Sequence, residues 1–144
     1  MAASAGWDTP DKRAIRLDIH GHWAWDEVWD AIDQLHARLR RHRSPALILN
    51  IDSIAWRAFP VLDLVPNLRT FAAQIPSQLR PIVGVTDYQD SFVQTMVKTV
   101  RPALHSIDRV VWVSTLSEAR HIVSGQIALP RARTDRLYAE ISAD

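Results

Sequence analysis

The chain is predicted to be a single α/β domain, with helices packed on a four- to five-stranded sheet that is mostly parallel or mixed. Two short, nearly continuous apolar runs, Ala46-Leu-Ile-Leu-Asn-Ile-Asp52 and Pro81-Ile-Val-Gly-Val-Thr86, have the length of strands covered on both faces. Between and beyond them, apolar residues recur at spacings of three and four, the period of helices with one buried face. The two patterns alternate as β-α-β-α-β-α-β-α, and 144 residues without a composition break fit one domain.

Residues 1–12 are small, polar and proline-punctuated, and read as a loose leader before a domain spanning 13–128. Residues 14–20 alternate, with Ile15, Leu17 and Ile19 on one face and Arg16, Asp18 and His20 on the other. This is a half-buried strand near an edge, closed by Gly21. Trp25, Val28, Trp29, Ile32, Leu35, His36 and Leu39 then form a helical stripe. Asp26, Glu27, Asp30 and Asp33 load its first half and Arg38, Arg40, Arg41 and Arg43 its end, as the helix dipole favours. Pro45 stops it and the central strand, 46–52, follows.

A loop is expected over 53–60, then a second helical stripe through Val61, Leu64, Val65, Leu68, Phe71, Ala72 and Ile75, with a kink at Pro66 or a restart that puts Pro66 in a first turn. After the strand at 81–86, Asp87 reads as a helix N-cap ahead of Phe92, Val93, Met96, Val97 and Val100. Residues 109–113 read as a last strand. Thr115 with Glu118 makes a capping box for a helix over 116–124. The polar tail, 129–144, holds a short helical pattern around Leu137 to Ile141.

Seventeen Lys and Arg against sixteen Asp and Glu give a net charge of +1, which argues against a nucleic-acid partner. There are no cysteines, which removes disulfides, zinc–thiolate sites and thiol nucleophiles and suits a cytoplasmic setting. No apolar run approaches the roughly 18 residues that span a bilayer, and no secretory signal is expected at the start.

The residues Ile15-Arg-Leu-Asp-Ile-His-Gly21, an apolar strand ending in glycine, together with Trp23-Ala-Trp-Asp-Glu27, an acidic helix opening, resemble the STAS fold and within it the SpoIIAA-like group. The runs at 47–52 and 81–87 resemble its central and third strands, so the likeness covers about residues 13–125. It implies a non-enzymatic domain that binds a protein partner or a small ligand. In the anti-sigma-antagonist branch, a Ser or Thr just before the second helix is phosphorylated. Here that stretch reads Ala55-Trp-Arg-Ala-Phe-Pro60, without a hydroxyl, so the resemblance implies no phospho-switch.

Asp52, Thr86 and Asp87, with Ser114 and Thr115, fall at the C-terminal strand ends, where open α/β sheets place ligands. The plainer reading makes them helix caps and turn formers. A receiver-type phosphoacceptor needs an acidic cluster after the first strand and a lysine after the last, where Gly21 and Ser114 stand. His20 and His22 share a spacing that can ligate metal, but no third ligand is identifiable. The Arg38–Arg43 cluster reads as a solvated helix end. Six tryptophans are many for this length; Trp25 and Trp29 share a helical face and read as packing. Trp56, Arg57 and Phe59, in the expected loop after the central strand, are the candidates for a contact surface.

No Ser-His-Asp set, phosphate-cradling glycine loop or paired catalytic carboxylate stands at a telling spacing, so no catalytic residue and no cofactor is expected. The leading expectation is a regulatory, protein-binding domain whose surface is Trp56, Arg57, Phe59, Asp52, Thr86 and Asp87. Two alternatives remain open: a carrier or sensor of an apolar small molecule or lipid, and a metal-dependent enzyme at the Asp52/Asp87 rim. A homodimer through an edge strand or the tail is open too.

Overall fold

The computed structural model describes residues 2–40, 45–60, 62–104 and 110–125. Expectations that fall on Arg41, Arg43, Val61, Arg109 and the tail from Leu129 lie outside these residues. Within them the architecture is α/β, one five-stranded mixed sheet with helices packed on it. The strands are β1 (Ala3–Trp7), β2 (Ala14–Ile19), β3 (Ala46–Ile51), β4 (Ile82–Val85) and β5 (Val110–Val113), and they lie in that order across the sheet. β1 runs antiparallel to β2, and every other pairing is parallel.

Three helical connections and a final helix follow from this. α1 (Trp25–Leu39) joins β2 to β3, and α2 (Ser53–Arg57) with α3 (Leu64–Gln74) joins β3 to β4. α4 (Ser91–Val100) leads to β5 through a 3-10 turn at Arg101–Leu104, and α5 (Leu116–Val123) follows β5. Strand alternation sorts the sheet into two faces. Ile15, Leu17, Leu47, Leu49, Ile82 and Trp112 pack in one apolar core with Val28, Ile32 and Leu35 of α1, Phe71 of α3 and Val97 of α4. Ile48, Val83, Val85, Val111 and Val113 face the other way and, among the described residues, cluster with Ala14 and Ala46 of the sheet and Ala119 and Ile122 of α5.

Two expectations are corrected here. Residues 3–7, read as part of a loose leader, form β1, because Ala3 and Ala5 tuck into the first core while β2 offers a free edge. Small residues carry too little apolar area to signal a strand by themselves. Side chains of α1 reach this end of the sheet: the Ala5 amide on the outer edge of β1 donates to Gln34 Oε1 (3.0 Å), and the Ala2 amide, just before the strand, donates to Glu27 Oε2 (2.9 Å). The second correction concerns 53–57, expected as loop, which form α2 because Asp52 caps them through the Ala55 amide at 2.7 Å.

Gly84 is required by packing. It pairs with Trp112 across β4 and β5, and a Cβ there would stand 2.3 Å from Trp112 Cε3. The indole therefore lies flat over the glycine and reaches the centre of the first core. On the opposite face, the sheet turns polar toward β1. Asp8, its side chain 3% exposed, accepts from Arg16 Nη1 at 2.8 Å and from Arg120 Nε and Nη2 at 3.0 Å each. Arg16 also bonds Asp18, which in turn accepts from Asn50. Burial works against the charge of Arg16, but Asp18 and Asp8 outweigh it and raise its pKa.

Candidate functional site

The C-terminal strand ends gather the rim residues, and each is engaged within the fold. Asp52 receives the Ala55 amide, and both its oxygens accept the Gly21 amide at 3.3 Å. Gly21 can present that amide because it adopts φ 60, a left-handed conformation that suits glycine. Thr86 is buried, and its Oγ1 accepts from Trp56 Nε1 at 2.7 Å. Asp87 turns its own loop by accepting the Gln89 amide at 3.3 Å. The N-cap of α4 is Asp90 and not Asp87: Asp90 accepts from the Phe92 and Val93 amides, because the helix starts at Ser91. Thr115 caps α5 as its spacing with Glu118 suggests. Among the described residues, no three His, Asp or Glu side chains stand close enough to share a metal ion.

The three loop candidates separate. Trp56 is 1% exposed, stacked on Phe59 with ring centroids 5.6 Å apart, and cannot meet a partner where it lies. Phe59 is half-buried against the same core. Arg57, one residue beyond Trp56 on α2, faces solvent. Its Nη2 donates to Asp90 Oδ2 at 2.8 Å, and its guanidinium sits 4.8 Å from the centre of the Phe92 ring. Desolvation would raise the pKa of Asp90, but hydrogen bonds from Arg57 and the Phe92 and Val93 amides prevail and lower it below its ordinary value.

Two exposed apolar side chains accompany this pair on α2 and α4. Phe92 is 38% exposed and Ile54, three residues before Arg57 on α2, is 56% exposed. Leu62 (82%) and Val65 (48%) are exposed at the approach to α3. Asp63, between them, holds φ 56 at the N-cap position without a side-chain cap, a conformation unusual for a residue with a Cβ.

Behind the rim, inside the first core, the rings form a chain. Trp25 stacks on Trp29 (5.3 Å), Trp23 meets Trp25 and Phe59 edge-on (5.0 and 4.9 Å), and Trp56 lies 6.3 Å from Trp112. A cavity of about 40 Å³ opens among them, with Leu49, Phe71 and Val100 also in its walls. Trp23 Nε1 donates to the Ala55 carbonyl at 2.9 Å, and Trp56 Nε1 to Thr86. Trp25 Nε1 is buried and has no hydrogen-bond partner, the one such side-chain atom among the described residues. Such an unmet donor costs about 1–3 kcal/mol.

Sequence reasoning missed Ile54, Phe92 and Asp90 as site residues. Their spacing along the chain is unremarkable, and only the adjacency of α2 to α4 brings them together. Phe92 fits a helical stripe, so periodicity assigns it to the core. Compared with known proteins, the chain matches no family model, no curated protein and no solved structure. Among the described residues no helix is long and apolar enough to cross a membrane.

Proposed function

We propose that the chain is a non-enzymatic, regulatory binding domain of STAS/SpoIIAA-like type, acting in the cytoplasm by docking a protein partner on the strand-end rim. The observation that carries this reading is Arg57, exposed yet held in place by Asp90 and the Phe92 ring, beside exposed Ile54. Arginine and aromatic side chains dominate the energetics of protein interfaces, and one already fixed loses less freedom on binding. The rim acids support a binding role over chemistry, since Asp52, Asp87 and Asp90 are engaged in caps and turns. The absence of a hydroxyl residue from 55–60 supports a surface that is not switched by phosphorylation there.

The test is in-cell cross-linking of the whole chain followed by mass spectrometry, with Ile54→Asp, Arg57→Glu and Phe92→Asp compared against Asp33→Asn on α1. All four variants are first checked for native melting. The reading expects a cross-linked protein that contacts α2 and α4, is retained by Asp33→Asn and is lost from the three rim variants. Retention of every cross-linked protein by all three rim variants overturns it.

A further inference from the structure

We infer that the pocket between the β1–β2 connection and the end of α5 binds the phosphate group of a small molecule, held by Arg13, Arg120 and His121. It lies beside Ala14 at the start of β2, the opposite end of the parallel strands from the Arg57 rim. Neither reading depends on the other.

The pocket offers space. About 210 Å³ is open there, bordered by Thr9, Asp11 and Arg13 of the connection and by Arg120, His121 and Ser124 at the end of α5. Drug-sized ligands need roughly 300 Å³ or more, so a smaller molecule fits.

Its donors are oriented and accessible. Arg120 donates to Asp8 through Nε and Nη2 at 3.0 Å each, and Arg13 Nε lies 3.2 Å from Asp11 Oδ2. Each guanidinium is therefore fixed along its Nε side by a carboxylate. The remaining N–H groups, both Nη1 groups included, have no partner among the described residues. Arg120 and Arg13 are 44% and 58% exposed, so those groups can meet a ligand. The His121 ring also lacks a hydrogen-bond partner among the described residues.

The acceptors, in contrast, are filled. Asp8 is 3% exposed and receives Arg16 as well as Arg120. Asp11 receives the Thr9 hydroxyl and the Arg13 amide. Charge in this wall is balanced, two guanidiniums against two carboxylates, but hydrogen bonding is not. Its donors are in surplus, and an oxygen-rich anion completes them. A carboxylate has two oxygens, enough for one arginine fork, whereas a phosphate ester presents three, enough for two forks and an imidazole. Ala14 and Val123 give the organic part of such an ester an apolar wall. The C-terminal dipole of α5 opposes the anion with roughly half a charge. Two full guanidinium charges outweigh it, and the carbonyls of Arg120, His121 and Ile122 already accept from Ser124 and Gly125.

The experiment titrates the full ¹⁵N-labelled chain with glycerol 2-phosphate, inorganic phosphate, glycerol and acetate at constant ionic strength. The inference expects both phosphates to shift the Thr9, Arg13, His121 and Ser124 amides saturably, with Kd on the order of 1 mM, and glycerol to leave them in place. Arg13→Gln and Arg120→Gln should each weaken phosphate binding about tenfold, and Arg57→Gln should leave it unchanged. Tighter binding of glycerol 2-phosphate assigns the site to an ester, and tighter binding of inorganic phosphate assigns it to the free ion. Acetate bound as tightly as the phosphates overturns the inference. So do shifts still linear at about 20 mM phosphate, or shifts undiminished in the arginine variants. Where Arg120→Gln fails to fold because Asp8 loses a partner, Arg13→Gln decides the matter, since its own ion pair is exposed.

Discussion

The two faces of the sheet are held by different physics. On one, α1 to α4 lay Val28, Ile32, Leu35, Phe71 and Val97 over Ile15, Leu17 and Leu47, and shape complementarity between apolar groups decides stability. On the other, α5 is the one helix among the described residues that covers Val83, Val111 and their neighbours, and the remainder toward β1 is tied by Asp8, Arg16, Asp18, Asn50 and Arg120. The first face is sensitive to volume and indifferent to salt. The second depends on charges that are partly wet, since Arg16 and Arg120 are 30% and 44% exposed. The lesson is that one sheet can be sealed by packing where helices are plentiful and by ion pairs where they are scarce.

The sharpest way to break this contrast is Gly84→Ala. The new methyl meets Trp112 Cε3 at 2.3 Å in a strand that cannot move away, and the expected loss is about 3 kcal/mol, read from urea unfolding. Pairing it with Trp112→Leu should return part of that loss, and failure to do so would mean the clash is relieved elsewhere. On the opposite face, Asp8→Ala leaves two arginines without their shared carboxylate. With both partly exposed, the expected cost is about 2 kcal/mol, below that of a fully buried pair. Repeating both measurements at high salt separates the faces: the Asp8 effect should shrink and the Gly84 effect should not.

The smallest expected effect lies on the rim. Hydrogen bonds from Arg57 and the Phe92 and Val93 amides outweigh desolvation and hold the Asp90 carboxyl below its ordinary value, so its folded pKa is lower than its unfolded one. Its contribution is complete above the unfolded value and is lost as the pH falls through the folded value. Melting measured from pH 5 to pH 3 should show a small fall at the acid end that Asp90→Asn removes. A fall of equal size in that variant would assign it to other carboxylates.

How much of this was legible in the sequence depends on whether neighbours along the chain or across it decide the outcome. The start of α1 was readable, because its stripe and its charge gradient are both local: expected from Trp25, the helix begins there and runs to Leu39, short of the stop expected at Pro45. β3 and β4 were readable because a continuous apolar run of that length has few other homes. β1 was not, since Ala3, Ala5 and Gly6 carry almost no pattern and pair only because β2 is beside them. α2 was hidden because its five residues, Ser53–Arg57, are too few to show a helical period until Asp52 is seen to cap them. The rim was half readable. Arg57 was named with Trp56 and Phe59, yet sequence could not show that the two rings turn inward while the cation turns out.

The Ala5 amide ends on Gln34, so this point on the flank of β1 has an acceptor of its own already in place. An incoming strand would have to displace Gln34 before its carbonyl could reach the Ala5 amide, and intermolecular β-growth at that point of the border is disfavoured accordingly. Crowding at that point should leave neighbouring molecules unattached.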